Sequence, residues 1–176
     1  TSNPDGATIT YSVKNGETWS EYTATVPTIT NVGTITYKAK AELANYTTIE
    51  SEEATLTVTA KEVTVTVADA ENVVYDGQVH TGETTYTFDG IVATETATIS
   101  YTPAEGTNVN TYTGSYDANT FAVKKADDSD STGNYTLTTM TPGKLTITEA
   151  TMTVTAVSNS QVYNGQPLTG SATSNP

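Results

Sequence analysis

Short stretches of strict alternation dominate the chain. Thr55-Leu56-Thr57-Val58-Thr59, Val63-Thr64-Val65-Thr66-Val67, Lys144-Leu145-Thr146-Ile147-Thr148 and Met152-Thr153-Val154-Thr155 each place an apolar residue at every second position. A period of two puts Leu, Val and Ile on one face of an extended segment and Thr on the other. Each stretch therefore predicts an antiparallel strand with one buried face and one threonine-coated solvent face. No stretch carries the three-to-four spacing of an amphipathic helix. Turn signals separate the strands: Asn15-Gly16, Asp76-Gly77, Asp89-Gly90, Glu105-Gly106, Pro142-Gly143 and Asn164-Gly165. Asn-Gly and Asp-Gly tolerate positive φ and favour tight hairpins. Strands at a spacing of about 8–12 residues with such punctuation are what packed antiparallel sheets require. The expected fold is all-β, a β-sandwich.

The pattern occurs twice. Tyr75-Asp76-Gly77-Gln78 returns as Tyr163-Asn164-Gly165-Gln166, and Asn45-Tyr46-Thr47 as Asn134-Tyr135-Thr136. Leu56-Thr57-Val58-Thr59 returns as Leu145-Thr146-Ile147-Thr148, and Ala7-Thr8-Ile9-Thr10-Tyr11 as Ala97-Thr98-Ile99-Ser100-Tyr101. Four matches in one order at nearly one offset indicate tandem domains. Asn31-Val32-Gly33-Thr34 matches Asn108-Val109-Asn110-Thr111 at a shorter offset, so the second unit carries an insertion of about 12 residues within 112–134. Its polar part, 124–133, reads as a loop. The chain opens Thr1-Ser2-Asn3-Pro4 and closes Thr173-Ser174-Asn175-Pro176. The expectation is one period of a longer array, cut out of phase. Residues 61–150 form a complete repeat, 1–60 a repeat without its opening strands, and 151–176 the opening strands of the next.

Composition sharpens this. Thr occurs 41 times in 176 residues, while Val, Ile, Leu and Phe together supply 30. So few large aliphatics with a net charge of -13 would ordinarily indicate disorder. Here β-branched Thr and Val suit strands, and eleven Tyr add apolar area. All seven basic residues are Lys, and the pI is near 4.1. Such a chain is poorly matched to nucleic acid or an anionic membrane. No apolar run approaches the roughly 18 residues that cross a bilayer. The absence of Cys removes thiolate metal sites, disulfides and thiol catalysis.

Val74-Tyr75-Asp76-Gly77-Gln78 and Val162-Tyr163-Asn164-Gly165-Gln166 resemble the motif of bacterial surface repeats of the YDG/MBG type. Asn134-Tyr135 followed by Gly143-Lys144-Leu145-Thr146-Ile147-Thr148 is similar to the way those repeats end. In the first unit Ser51-Glu52-Glu53-Ala54 stands where that glycine is expected. Ile9-Thr10-Tyr11-Ser12-Val13, Trp19 and Asn31-Val32-Gly33-Thr34 resemble the middle of other bacterial immunoglobulin-like repeats. The resemblance implies tandem immunoglobulin-like β-sandwich domains in an exported bacterial surface protein, with Tyr75, Asp76, Gly77, Tyr163, Asn164 and Gly165 as structural motif residues. It brings no catalytic residues and no cofactor.

Few residues offer chemistry of their own. A Ser-His-Asp relay would have to use His80, the sole imidazole, yet Leu168 stands at its aligned position. Glu52-Glu53, Asp69 with Glu71, and Asp127-Asp128 are acid pairs without a distinguishing spacing for glycoside hydrolysis. Asp128, Asp130, Thr132 and Gly133 match the first half of a calcium loop, but Thr139 stands where a closing Glu belongs. Calcium is the one weak metal candidate. Asn45-Tyr46-Thr47 and Asn134-Tyr135-Thr136 fit the glycosylation pattern; as repeat equivalents they read better as a core Tyr beside a turn Asn. Lys61 and Lys144 are weak candidates for a Lys–Asn cross-link, and Trp19 with the Tyr set for a sugar groove.

The expected function is structural: a spacer, stalk or fibre-forming repeat, extracellular on a bacterial surface, whose partners are neighbouring repeats or other copies of the chain. Strand donation between chains would polymerise it. The short joins Thr59-Ala60-Lys61 and Thr148-Glu149-Ala150 imply a stiff array. The alternative is an adhesin module that binds a glycan or host protein, with residues 112–134 as the place to look.

Overall fold

The alternating segments are strands in the computed structural model, which describes residues 5–175. The terminal Thr-Ser-Asn-Pro match falls partly on residues 1–4 and 176, outside the described residues. The first repeat holds β1 (Thr8–Asn15), β2 (Thr18–Trp19), β3 (Gly33–Glu42), β4 (Ile49–Glu50) and β5 (Ala54–Val58). The second holds β6 (Lys61–Val67), β7 (Val73–Val74), β8 (His80–Thr81), β9 (Tyr86–Asp89), β10 (Glu95–Thr102), β11 (Glu105–Gly106), β12 (Asn110–Thr113), β13 (Ser115–Lys125), β14 (Tyr135–Thr141) and β15 (Lys144–Thr148). β16 (Thr153–Val157) and β17 (Ser171–Asn175) follow. The one helical element among the described residues is a 3-10 turn, Thr132–Asn134.

β1 lies between β2 and β3, and β3 also pairs with β4 and β5. In the second repeat the orders are β14-β6-β9, β12-β15-β7, β10-β13 and β11-β8, while β16 pairs with β17. The chain is an all-β sandwich of antiparallel sheets in which β7 and β15 run parallel, with Val73 facing Ile147 and Val74 facing Thr148. Thr34 pairs with Thr57 across β3–β5, and Thr111 with Thr146 across β12–β15. Their hydroxyl oxygens lie 3.0 Å and 3.2 Å apart. Two offsets from the sequence thus meet in one cross-strand pair made twice.

The chain divides into two compact units. One holds Thr1–Thr64, Asp89–Thr98 and Phe121–Thr138; the other holds Val65–Phe88, Ile99–Thr120 and Thr139–Pro176. Among the described residues the buried apolar core is Val63, Val65, Val67, Ile99, Ala104, Val123, Tyr135, Leu145 and Ile147, all from residues 61–150. In the second unit Leu145 and Ile147 join Ala104, with Ala70, Val73 and Tyr112 packed around them.

Local details depart from the sequence reading. Gly106 and Gly143 are not positive-φ turn residues. A Cβ on Gly106 would enter the Tyr112 ring, and one on Gly143 would meet the Ala68 carbonyl and Val67. Close approach rather than turn geometry requires these glycines. The segment 124–133 is only partly loop. Lys124 and Lys125 end β13, and the chain returns through bonds from Lys125 N–H to Ser129 O and from Asp128 N–H to Lys125 O, both 3.0 Å. Exposed charges sit comfortably on the outer face of a strand, so charge alone did not mark a loop there. Tyr46 was expected in a core and is 60% exposed, whereas its counterpart Tyr135 is 9% exposed.

Candidate functional site

A groove of about 740 Å³ lies on the first repeat. Its floor is the apolar face of β1 and β3, with Ile9, Tyr11, Tyr37 and Ala39, and its wall is formed by Tyr46, Ile49 and Ala54. Alternation builds it: Ile9 and Tyr11 are two apart on β1, as Tyr37, Ala39 and Ala41 are on β3. Tyr11 and Tyr37 meet with ring centroids 6.5 Å apart.

Ile99, Leu145, Ile147 and Tyr135 are buried. Their counterparts Ile9, Leu56 and Val58 are half-buried, and Tyr46 is exposed. β6 runs beside β14 and β9, and its Val63, Val65 and Val67 are 0%, 0% and 2% exposed.

The motif residues build one turn twice. Gly77 and Gly165 have φ of 79° and 75°. The Asp76 carboxylate accepts from Gln78 N–H at 2.8 Å, and the Asn164 amide oxygen accepts from Gln166 N–H at 3.0 Å. This is an Asx turn, which Asp and Asn support and Gly completes. His80 Nε2 lies 2.9 Å from the same Asp76 oxygen. The Gln78 N–H first, and His80 second, hold the Asp76 carboxyl below its ordinary range. Tyr75 and Tyr163 are exposed.

In the 127–132 loop the acids are engaged locally. Asp130 accepts from the Thr132 hydroxyl at 2.6 Å and the Thr132 N–H at 3.0 Å. Asp127 accepts from the Ser129 hydroxyl at 2.6 Å. These bonds lower both carboxyl pKa values. Asp128 has φ of 63° and serves the turn. Among the described residues no three His, Cys, Asp or Glu side chains converge to hold a metal ion.

The remaining candidates also have local partners. Glu53 pairs with Lys14 at 3.6 Å, and Asp69 accepts from Lys144 N–H at 2.9 Å. The Trp19 ring carries the Lys38 ammonium 4.3 Å from its centroid and that of Lys14 at 5.6 Å.

Asn134, read from the sequence as a turn residue, makes a wider set of bonds. Within the first compact unit, Asn134 Oδ1 accepts from Val32 N–H at 2.8 Å. Its Nδ2 donates to Asn31 Oδ1 at 3.2 Å and Ser131 Oγ at 3.0 Å. Ser131 Oγ donates to Glu95 Oε1 at 3.0 Å, and Tyr135 Oη to Glu95 Oε2 at 2.6 Å. Burial first, then the Glu95 carboxylate, raises the Tyr135 pKa. The network ties 31–32 of the first repeat to 95 and 131–135 of the second. Asn45, the counterpart of Asn134, instead takes φ of 69° in a turn.

No family model matches the chain, and no curated protein matches it. Among solved structures the chain is similar to one described as Clostridium thermocellum CbhA fibronectin(III)-like modules, at 18% identity and a TM-score of 0.25. That likeness covers 80% of this chain and 78% of the other. The fold assignment rests on the strand pairing described above.

Proposed function

We propose that the chain is a load-bearing spacer: tandem β-sandwich repeats of the YDG/MBG kind, non-catalytic, from an extracellular bacterial surface protein. The carrying observation is the Asn134 network, because a polar clasp between successive repeats is what a stiff repeat array needs. The join itself is short, with β5 ending at Val58 and β6 beginning at Lys61. The parallel β7–β15 pair supports the same reading. Val73–Val74 lie beside Ile147–Thr148, and Tyr75 N–H donates to Thr148 O at 2.9 Å. Traction along β15 loads these bonds in shear, so they break together rather than in sequence. The acidic, Thr-rich surface keeps such an array hydrated.

Pulling the chain by its two ends in a force microscope tests this. Residues 61–150 should unfold in one event that releases about 300 Å of chain, at roughly 3.3–3.6 Å per residue. Smooth extension without a force peak would refute a mechanical role.

A further inference from the structure

The sequence holds an Asn-Gly step at Asn15-Gly16 and another at Asn164-Gly165, and their surroundings differ. Asn15 ends β1, where it pairs with Thr18 and its carbonyl accepts from the Thr18 hydroxyl at 3.1 Å. Asn164 is exposed and lies between β16 and β17, in the turn that repeats Asp76. Its Oδ1 accepts from the Gln166 N–H at 3.0 Å and from the Gln161 Nε2 amide at 3.4 Å. The same Gln161 amide donates to Gln166 O at 2.9 Å, which fixes it beside the turn. Val73 stands at the place of Gln161 in the other repeat, so the second donor belongs to this turn alone. Gly165 has φ of 75°, and a Cβ built on it would meet nothing within 4 Å, so the main chain beside Asn164 is uncrowded.

We propose that Asn164 is a self-modifying site, converted by its own main chain to Asp and isoaspartate with water as the co-reactant. The Gly165 nitrogen gives its proton to solvent and forms a bond to Asn164 Cγ. The Cγ–Nδ2 bond breaks, and Nδ2 takes a proton from solvent and leaves as ammonia. The product is a cyclic succinimide, which water then opens. Attack at Cγ gives Asp. Attack at the former main-chain carbonyl gives isoaspartate, in which the chain runs through Cβ and Cγ. As the nitrogen adds, negative charge develops on Oδ1. Donors already aimed at that atom stabilise the charge without reorganising. Gly hinders the attack least, because it has no Cβ and accepts positive φ.

The other repeat shows that the turn accommodates the Asp product. Asp76 accepts from Gln78 N–H at 2.8 Å, as Asn164 accepts from Gln166 N–H at 3.0 Å. Isoaspartate differs. Its extra main-chain methylene moves the Gln166 N–H away from the side chain and dissolves the Asx turn. Either product places a negative charge in residues 151–176, which contain no Lys, Asp, Glu or His. The segment therefore passes from neutral to anionic with age. The inference rests on the turn alone and is independent of a load-bearing role.

Incubating the full chain in mildly alkaline buffer and mapping its peptides by mass spectrometry tests this, with Asn15 as the internal reference. Each conversion adds the mass difference between OH and NH2, and electron-transfer fragmentation separates Asp from isoaspartate. Asn164 should convert at least about fivefold faster than Asn15, at a rate that rises with pH as the Gly165 nitrogen loses its proton more readily. Gln161 is exposed, so Gln161→Ala disturbs no core. That variant should slow Asn164 about threefold, less than for a buried oxyanion donor because water takes its place, and leave Asn15 unchanged. Gly165→Ala should slow Asn164 at least about tenfold, because Ala resists the positive φ and shields the nitrogen. An unchanged mass, or Asn15 converting as fast as Asn164, would overturn the proposal. An Asn164 rate unmoved by Gln161→Ala would overturn the role given to the donor pair.

Discussion

The repeat pair Leu56 and Leu145 offers an internal control on how each half of the chain is held together. Leu145 is 1% exposed, in contact with Ala104, Ile147, Val73 and Tyr112. Truncation to Ala removes three carbons, about 2.4 kcal/mol at roughly 0.8 per methylene. It also leaves a cavity among neighbours fixed in strands, which brings the cost to about 3–4 kcal/mol, within the known range for buried Leu→Ala. Leu56 is the same residue on the matching strand β5, but only half-buried. Part of its side chain already meets water and no closed cavity forms, so Leu56→Ala should cost about 1 kcal/mol. For domains of this size each kcal/mol moves the midpoint by about 4–8 °C. Leu145→Ala should therefore lower its transition by at least about 12 °C, and Leu56→Ala by less than about 8 °C. The two are separable because Trp19, the single Trp, lies in the first repeat. Trp fluorescence follows that repeat, while far-UV circular dichroism follows both. Equal losses for the two variants would refute the claim that Leu56 is held less tightly than Leu145.

Three further outcomes follow from the same geometry. Gly143→Ala should destabilise the chain by about 1–3 kcal/mol in urea titration, because its Cβ enters the Ala68 carbonyl and Val67; Ala54→Gly should cost less than about 1 kcal/mol. A double-mutant cycle of Asn31→Ala with Asn134→Ala should return a coupling of about 0.5–1 kcal/mol, whereas additive losses would dissolve the clasp. Carboxyl NMR should place the Asp76 titration below the ordinary carboxylate range of about 3.9. Its lowered folded value means that the turn's stabilisation is complete above the unfolded pKa and is lost as pH falls through the folded one. Asp76→Asn should remove that pH dependence and keep the turn, as Asn164 does in the other repeat.

Much of the fold was legible because alternation and turn chemistry are local. Thr57-Val58 and Thr146-Ile147 announce strands wherever they stand, and Asp76-Gly77 and Asn164-Gly165 specify their turns unaided. The matched segments make the same cross-strand pair twice, Thr34 with Thr57 and Thr111 with Thr146, although the offsets alone did not say which strands pair. What stayed hidden depends on which strand lies opposite. Asn45-Tyr46-Thr47 and Asn134-Tyr135-Thr136 are identical tripeptides, yet one Tyr is exposed and the other buried. Tyr135 stands on β14, which pairs with β6, a strand more than 60 residues earlier in the chain. The glycines at 106 and 143 were ambiguous for a similar reason: a turn and a close approach both ask for a missing Cβ. Asn134 was readable as a turn residue, but its bond to Val32, 102 residues away, left no mark in its own neighbourhood.

A Thr-rich sandwich faces a specific hazard: flat edges with β-branched side chains pair readily with other chains. Here the first line of defence is charge. Lys38 with Glu50 and Lys40 with Glu42 stud the β3–β4 surface, and the net charge keeps copies apart at long range. Such defence acts on every approach alike and confers no choice of partner. The uncharged stretch 151–176 is where it is relaxed, and it coincides with the apolar alternation of Met152, Val154 and Ala156. General repulsion acts along the rest of the chain, whereas this neutral, alternating segment carries no charged side chain. The physical logic of the chain is thus carried by where charge stops as much as by where hydrophobic residues begin.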